Sequence, residues 1–293
     1  MSKHSEPKVI LITGASAGMG KATAVKLINE GHIVYGAARR VDRMRDLEKL
    51  GGHAIEMDVT DEAQVTSAVD QLIAEQGRID VLVNNAGYSV YGAVEDVTTD
   101  DARRQFEVNL FGAAFLTQKV LPHMRKRKSG HIINITSVGG KVYVPLGAWY
   151  HATKHALEGW SDCLRVETSQ FGIKVSVVEP GAIQTEFSDV MNQPMLDRSR
   201  GGPYEAMAHA IVKTGADAYD GTPATKPELI AETIAKAINS RNPKTRYRAG
   251  KLAKPLLFFR WLFSDRVFDR IILGMVKQAA KPAEDSATAE AQR

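Results

Sequence analysis

The feature that most constrains the fold of this chain is the alternation of short apolar runs with longer amphipathic segments. Strands that are apolar on both faces are typical of a parallel sheet covered by helices on both sides, because neither face meets water. The chain is therefore predicted to form a doubly wound α/β fold, with a central parallel sheet of about seven strands flanked by helices on both faces. The predicted strands are Val9–Ile12, Ile33–Ala37, His53–Met57, Val81–Val83, His131–Ile135, Val175–Val178 and Thr245–Arg248, and the predicted long helices are Lys21–Asn29, Glu62–Glu75, Asp101–Arg125 and Ala152–Gln170.

Two stretches interrupt this alternation. Residues 188–226 are rich in Gly, Pro, Met and polar residues, with only a weak helical pattern at Tyr204–Lys213, and are predicted to form a substrate loop or lid. Pro227–Asn239 is predicted to be a helix with proline in its first turn. We expect residues 1–250 to form one domain, followed by an amphipathic helical extension at 251–280 and a disordered tail at 281–293.

Composition and charge exclude several classes of protein. The chain is 44% hydrophobic and 25% charged, the balance of a globular protein. A net charge of +4 is too small to predict nucleic-acid binding without a localised basic patch. The sequence shows no secretory signal and no apolar run of membrane-spanning length. The single Cys163 permits no internal disulfide, so a cytoplasmic location is predicted, and its place in a predicted helix predicts a buried structural thiol.

A glycine-rich turn follows the first predicted strand and leads into a helix. Its sequence is Thr13-Gly14-Ala15-Ser16-Ala17-Gly18-Met19-Gly20. Glycines let the backbone approach a pyrophosphate, whose charge interacts favourably with the amino terminus of the helix. A steric need for glycine in a tight connection would also explain the turn, but the strand–turn–helix context favours a Rossmann-type dinucleotide site.

The second predicted strand leads into Ala38-Arg39-Arg40. Sites that prefer NAD place a carboxylate near this point to accept hydrogen bonds from the ribose hydroxyls, whereas this chain has Ala38 followed by two arginines. A guanidinium can bind the 2′-phosphate of NADP through charge-assisted hydrogen bonds. The sequence therefore favours NADP(H). NAD(H) stays open, because Asp42 could serve a ribose and both arginines could be solvated loop charges.

Tyr150 and Lys154 lie four residues apart at the start of a predicted helix, so they share one face. A nearby ammonium favours the phenolate and is expected to lower the pKa of Tyr150 by about one to three units. Such a tyrosine can exchange a proton with an alcohol or a carbonyl oxygen. Ser137 follows the fifth strand, at the sheet edge where ligands bind, and its hydroxyl could donate to the substrate oxygen or simply cap a turn.

These motifs together resemble the short-chain dehydrogenase/reductase family. The resemblance rests on the glycine turn, Asp58-Val59, Asn84-Asn85-Ala86-Gly87, Asn109, Ser137, Tyr150 with Lys154, and Pro180-Gly181. Residues 8–185 match in order and spacing, and a weaker likeness continues to about residue 250. Gly87–Gly92 and Phe106–Asn109 are most similar to the hydroxysteroid/retinol dehydrogenase-like branch.

The resemblance implies a role for each matching residue. Tyr150 would be the general acid/base, Lys154 would lower its pKa and bind the nicotinamide ribose, and Ser137 would orient the substrate oxygen. Asn109 would hold a water through its main chain and complete a proton relay to Lys154. The implied cofactor-binding residues are Gly14, Ser16, Gly18, Met19, Gly20, Arg39, Arg40, Asp58, Val59, Asn85, Ala86, Gly87, Tyr150, Lys154, Pro180, Gly181, Ile183 and Thr185.

Two other patterns have competing explanations. His151 and His155 are four residues apart, but the pair has neither the glutamate of the zincin motif nor a third ligand, so no metal is predicted. From Lys251 to Lys277 there are six basic residues against two acidic ones, together with many aromatic and aliphatic side chains. Such a segment can lie on an anionic membrane, cap the substrate crevice or pack against a partner subunit, and packing against protein is favoured.

The predicted function is therefore an NADP(H)-dependent oxidoreductase that interconverts a carbonyl and an alcohol, on a lipophilic ketone, aldehyde, steroid-like or retinoid-like substrate. The lipophilic substrate rests on methionines and aromatic residues in the lid and the C-terminal segment. The alternatives are a dinucleotide-sensing regulator without catalysis and a reductase held at a membrane surface. The long helices Asp101–Arg125 and Ala152–Gln170 resemble those at subunit contacts in the family, which implies a homodimer or homotetramer.

Overall fold

A single parallel sheet organises the chain, of which a computed structural model describes residues 6–184, 187–217 and 225–280. Within these residues seven strands pair in the order β3-β2-β1-β4-β5-β6-β7, and every pairing is parallel. The predicted doubly wound sheet is confirmed. The strands are β1 Val9–Thr13, β2 Ile33–Ala38, β3 His53–Glu56, β4 Val81–Asn84, β5 Gly130–Ile135, β6 Ile173–Pro180 and β7 Arg246–Ala249.

Helices cover both faces of the sheet. Helices α3, α5 and α6 pack on one face, in a core that includes Leu11 of β1, and α1, α2 and α9 pack on the other, in a core that includes Ile10 and Ile12. Complete burial of side chains of this size contributes roughly 1.5–3 kcal/mol each. The helices are α1 Gly18–Asn29, α2 Arg45–Lys49, α3 Glu62–Gln76, α4 Thr99–Phe106, α5 Gly112–Arg127, α6 Ala148–Ser169, α7 Phe187–Ser199, α8 Glu205–Asp217, α9 Pro227–Asn239, α10 Ala253–Leu262 and α11 Asp265–Ala280.

The order of the strands determines that a ligand crevice opens between β1 and β4. From β1 the sheet extends through β2 and β3 on one side and through β4 to β7 on the other. Loops that leave the carboxyl ends of β1 and β4 therefore turn in opposite directions, which opens a crevice above these two strands. The glycine turn follows β1 and Asn85-Ala86-Gly87 follows β4.

Several local predictions differ from the structure. The lid holds two helices, α7 and α8, where the sequence predicts only a weak one at Tyr204–Lys213; Pro194 lies inside α7 and interrupts its helical pattern. The predicted helix Asp101–Arg125 is divided by a π-helical turn, Glu107–Phe111, between α4 and α5. Cys163 is exposed on α6, so the predicted buried thiol is wrong.

The C-terminal segment forms two helices, α10 and α11, which follow β7. Helix α11 packs against α8 of the lid. None of the helices in residues 6–184, 187–217 and 225–280 is long and apolar enough to cross a membrane. The predicted tail at 281–293 lies outside the described residues.

Candidate functional site

The turn between β1 and α1 leaves no space for side chains at two of its glycines. Gly14 has a φ of 68°, which favours glycine, and a Cβ there would lie 3.0 Å from the Cα of Ala86. A Cβ on Gly20 would lie 2.4 Å from the carbonyl oxygen of Gly14. Glycine at these two positions therefore lets the turn close on itself and pack against the loop after β4.

Thr13 fastens this turn to the loop after β4. Its Oγ1 accepts hydrogen bonds from the backbone N–H groups of Asn85, at 3.0 Å, and Ala86, at 2.9 Å. The Asn85 amide in turn donates to the carbonyl oxygen of Thr13 at 2.9 Å. These bonds hold together the two loops on either side of the crevice.

The residues of the crevice fit a dinucleotide diphosphate. Helix α1 starts at Gly18 with no acidic residue in its first turn, and among the described side chains none caps this end. Its first N–H groups and the positive end of its dipole can therefore serve an anion. The buried Oδ1 of Asn85 has no hydrogen-bond partner in the part of the chain that is described, and a polar ligand group would satisfy it. Ser16 is also buried here, and Met19 packs against the core.

The predicted adenine end of the crevice contains a positively and a negatively charged side chain, Arg39 and Asp58. Arg39 is exposed just beyond β2, and its Nη1 lies 4.0 Å from Oδ2 of Asp58. The other oxygen of Asp58 accepts hydrogen bonds from the backbone N–H and the hydroxyl of Thr60, at 3.0 Å and 2.8 Å. Val59 packs closely against the start of α5. A Cβ added at Gly112 would lie only 2.8 Å from the carbonyl oxygen of Val59. Arg40 follows Arg39 at the same edge of the sheet.

Tyr150 lies in the first turn of α6 and is almost fully buried. Burial raises the pKa of its phenol above the usual value, and a hydrogen bond with Ser137 opposes this only in part. The expectation that Lys154 makes this tyrosine unusually acidic is therefore wrong for this structure. The Nζ of Lys154 lies 6.0 Å from the centre of the Tyr150 ring and donates elsewhere, to the carbonyl oxygen of Ile135 at 3.0 Å.

Lys154 is itself perturbed by its surroundings. Its side chain is buried on α6, and burial lowers the pKa of the ammonium to about 8, although the negative charge of Glu158 acts in the opposite direction. Of the two roles that the sequence left open for Ser137, the structure shows the cap of a turn. Its Oγ accepts a hydrogen bond from the N–H of Gly139 at 3.0 Å, which caps a short turn, and it contacts Tyr150.

Asn109 lies in the π-helical turn between α4 and α5, a feature frequent at functional sites. Its side chain accepts from the N–H of Tyr88 at 3.0 Å and donates to the carbonyl oxygen of Tyr88 at 2.9 Å and to Thr153 at 3.1 Å. A Cβ on Gly87 would lie 3.2 Å from Oδ1 of Asn109 and 3.7 Å from Nζ of Lys154. Asn109, Gly87 and Lys154 are therefore neighbours.

The residues at and after the end of β6 pack against β7, the C-terminal segment and the core. Pro180 ends β6 and pairs with Ala249 of β7. A Cβ on Gly181 would lie 2.1 Å from the carbonyl oxygen of Lys251, so glycine is required here by the C-terminal segment. Ile183 is buried in the core together with α9, and Thr185 lies outside the described residues.

Sequence reasoning missed the buried carboxylate of Glu158. It accepts from the hydroxyl of Thr136 at 2.6 Å and pairs with Arg246, at 2.9 Å, and with Lys141, at 3.0 Å. Its position four residues after Lys154 places it one helical turn further along the same face, a signal that could have identified it. Glu158 thus supplies a fixed negative charge behind Lys154.

His151 was considered only as a metal ligand, yet it supports the loop between Ser137 and Tyr150. Its Nε2 accepts from the N–H of Val144 at 3.2 Å, so Nδ1 must carry the proton that it donates to the carbonyl oxygen of Gly139 at 2.9 Å. Burial lowers the pKa of this imidazole. His151 therefore has both ring nitrogens engaged with the backbone.

The lid helices cover Tyr150 with apolar side chains. Arg198 of α7 donates to the carbonyl oxygen of Tyr91 and pairs with Asp101 of α4, both at 3.1 Å, which fastens the lid to the sheet domain. The ring of Tyr91 lies 5.9 Å from that of Tyr150. The apolar cluster that contains Tyr150 consists of Tyr91, Ala93, Val144, Leu146, Met191, Met195, Leu196, Tyr204, Met207, Ala208, Ile211 and Val212.

The chain is similar in sequence and fold to known proteins. A family model described as short chain dehydrogenase matches residues 8–195. The chain is 38% identical over 252 residues to the 3-ketodihydrosphingosine reductase of Bacteroides thetaiotaomicron, an alignment that covers 86% of this chain and 91% of that protein. The structure of a short-chain dehydrogenase from Streptomyces avermitilis superposes with a TM-score of 0.74 at 32% identity, over 94% of this chain and 100% of that one. The closed form of serine dehydrogenase complexed with NADP+ superposes with a TM-score of 0.71 at 29% identity, over 81% of this chain and 92% of that one.

Proposed function

The chain belongs to the short-chain dehydrogenase family and is an oxidoreductase that acts on CH–OH groups with NAD(P), and from this premise we propose that it is an NADP(H)-dependent reductase of lipophilic carbonyl compounds. The observation that carries this proposal is the placement of Ser137, Tyr150 and Lys154 at the carboxyl edge of the sheet, under an apolar lid.

The catalytic roles follow from the contacts of these side chains. When bound, the dinucleotide supplies the hydride for the substrate carbon. The phenol of Tyr150, whose pKa burial raises, is protonated at neutral pH and would donate its proton to the carbonyl oxygen. Ser137, whose Oγ accepts from the N–H of Gly139 and whose hydroxyl is hydrogen-bonded to Tyr150, would orient that oxygen. Lys154 then returns a proton to Tyr150, and Asn109 positions the loop at Tyr88 beside Lys154.

The crevice has groups for each part of the dinucleotide. The turn from Gly14 to Gly20 and the amino terminus of α1 would hold the diphosphate, and Lys154 and Tyr150 the nicotinamide ribose. Arg39 and Arg40 would bind a 2′-phosphate, and no carboxylate takes the place of Ala38. The NADP+ complex of the similar serine dehydrogenase supports this preference.

A lipophilic substrate is supported by the apolar cluster around Tyr150 and by the similarity to a reductase named for a ketone, 3-ketodihydrosphingosine. The test is to follow consumption of NADPH and of NADH in parallel with short polar and long-chain ketones and aldehydes. We expect turnover that increases with the chain length of the carbonyl compound and is faster with NADPH. No consumption with any of them would favour a dinucleotide-sensing regulator instead.

Assembly into a homodimer or homotetramer is part of the same proposal. Phe111, between α4 and α5, is 53% exposed and Val166 of α6 is 68% exposed, which leaves apolar side chains on the outer surface of these helices. Light scattering of the full chain is expected to give the mass of two or four subunits, and substitution of both residues by serine is expected to reduce it. A monomer at all concentrations would contradict this part.

A further inference from the structure

Helix α10 presents an apolar face that the rest of the described chain leaves uncovered. Phe258, Phe259, Trp261 and Leu262 are between 45% and 79% exposed, Trp261 most of all. Their helical spacing places them on one side of α10, opposite the buried side that includes Leu257. We call these four residues the α10 face. The sequence favoured packing of this segment against protein, but only the side of α10 opposite the α10 face packs in this way.

Helix α11 is anchored beside it. Phe268 and Ile272 are buried in a cluster with Val142, and Phe268 meets the ring of Tyr143 at 5.3 Å. Arg260, on the inner side of α10, lies 5.5 Å from the centre of the Phe268 ring. Both helices therefore pack against the body of the protein, and the α10 face points outward.

The charge around this face is strongly positive. The six basic and two acidic residues between Lys251 and Lys277 give an excess of four charges, equal to the net charge of the whole chain. Both acidic groups are engaged locally: Asp265 pairs with Arg260 at 2.6 Å, and Asp269 accepts from the hydroxyl of Tyr143 at 2.8 Å. Lys254, Arg266 and Arg270 are exposed, and among the described residues none of the three forms an ion pair.

We propose that the α10 face lies on the surface of a lipid bilayer that contains anionic lipids. Aromatic side chains with a tryptophan, next to arginines and lysines, match the boundary between headgroups and acyl chains, where such helices bind in the plane of the membrane. An anionic surface attracts each basic side chain. A second copy of this chain fits less well, because its own four positive charges would oppose those of the first.

The docked face would lie close to the lid. Helix α11 packs against α8, and Ala208 of α8 belongs to the apolar cluster over Tyr150. An open apolar groove of about 600 Å³ runs between α11 and the loop before Tyr150, lined by Val144, Leu146, Ile272 and Leu273 among others. Supply of a lipophilic substrate from the bilayer along this groove rests on the proposed function, whereas the docking itself does not.

Vesicle flotation with the full chain tests the docking. We expect the protein to float with vesicles of phosphatidylcholine and phosphatidylglycerol, to stay behind with phosphatidylcholine alone, and to be released by high salt. The combined variant Phe258→Ser, Phe259→Ser and Trp261→Ser is expected to lose at least tenfold in binding. Substitution of Lys254 or Arg270 by Gln is expected to weaken binding about fivefold each. The matched controls, Leu50→Ser and Leu229→Ser, remove exposed apolar side chains elsewhere and should bind as the parent does.

Three results would overturn the proposal: no flotation of the parent protein, equal loss in the control variants, or a change of subunit number in the combined variant without any vesicle binding. The last result would assign the α10 face to contact between subunits. Thermal unfolding and NADPH binding confirm that each variant is folded. Turnover of a short, water-soluble carbonyl compound by the combined variant separates the two proposals, because it should be unchanged if only membrane binding is lost.

Discussion

The Nζ of Lys154 donates a 3.0 Å hydrogen bond to the main-chain carbonyl of Ile135, the last residue of β5. The next residue, Thr136, donates its hydroxyl to Glu158, one helical turn beyond Lys154. The end of one strand therefore positions both the buried ammonium and the buried carboxylate behind it. We expect proton transfer at Tyr150 to depend on this pair, because burial lowers the pKa of Lys154 to about 8 while the charge of Glu158 acts to raise it.

The first prediction concerns the pH dependence of carbonyl reduction. Lys154 must be protonated to return a proton to Tyr150, so the reduction rate is expected to fall as the pH rises through about 8. Glu158→Gln removes a charge that raises the pKa of Lys154, and this fall should then occur at lower pH. Steady-state kcat measured against pH checks both statements. Glu167→Gln, on the exposed side of α6, is the control, and an identical profile for Glu158→Gln and the parent would refute the role of Glu158.

The second prediction concerns cofactor choice. Replacement of Arg39 and Arg40 by Ala removes the charged donors for a 2′-phosphate, each worth about 1.5–3 kcal/mol. KM for NADPH is expected to rise by about 10²-fold or more, with KM for NADH nearly unchanged. The exposed Arg45→Ala serves as control. Equal effects on the two cofactors would contradict a phosphate contact.

The third prediction concerns the glycine turn. In Gly20→Ala the new Cβ would lie 2.4 Å from the carbonyl oxygen of Gly14, so the turn must shift away from the geometry that admits a diphosphate. Dinucleotide affinity, measured by fluorescence titration, is expected to fall at least tenfold. Gly159→Ala is the matched control, because no atom lies within 4 Å of its Cβ position, and it should stabilise α6 by about 1 kcal/mol. Unchanged dinucleotide affinity in Gly20→Ala would show that the turn can accommodate a side chain at this position and would contradict the prediction.

The fourth prediction concerns acid stability. Burial lowers the pKa of His131 to about 3 from its ordinary value of 6.5. Between these values the unfolded chain binds a proton at His131 and the folded chain does not, so stability falls as the pH falls below 6.5. The free energy of unfolding should drop by about 2 kcal/mol between pH 7 and pH 5 through this group alone.

The variant His131→Asn keeps a donor for Ser176, which the imidazole contacts at 2.9 Å, but cannot titrate. Urea unfolding at the two pH values should therefore show a smaller loss for the variant than for the parent. His32 and His151, whose pKa values are also lowered, act with the same sign. A parent protein equally stable at both pH values would contradict the prediction.

The sheet could be predicted from sequence because its central strands, such as β1 and β4, are fully buried, short, apolar and rich in β-branched residues. Pro227–Asn239 was predicted with the bounds of α9, since proline in the first turn and a clear apolar stripe mark it. Helix α7 was not predicted, because Pro194 lies inside it and its apolar residues serve the lid cluster over Tyr150. The position of α7 is set by its packing over Tyr150, which the sequence of the helix does not show.

The sequence predicted which residues form the candidate site, but it did not predict how the pKa values of Tyr150 and Lys154 are shifted. Helical spacing identified Tyr150 and Lys154, but burial raises the pKa of one and lowers the pKa of the other, and that burial depends on tertiary packing that the spacing does not show. Glu158 was missed because Arg246, which holds it, is distant in the chain and reaches it only through β7. Exposure of Cys163 likewise depends on which side of α6 meets the sheet.

The most direct test of the account is Tyr150→Phe, which removes one hydroxyl from a buried ring and leaves its packing in place. We expect carbonyl reduction with NADPH to fall by about 10²-fold or more, while the affinity for NADPH, measured by fluorescence titration of the same preparation, changes little. A variant that reduces the carbonyl compound at the parent rate would show that the proton comes from another group, and the account would fail.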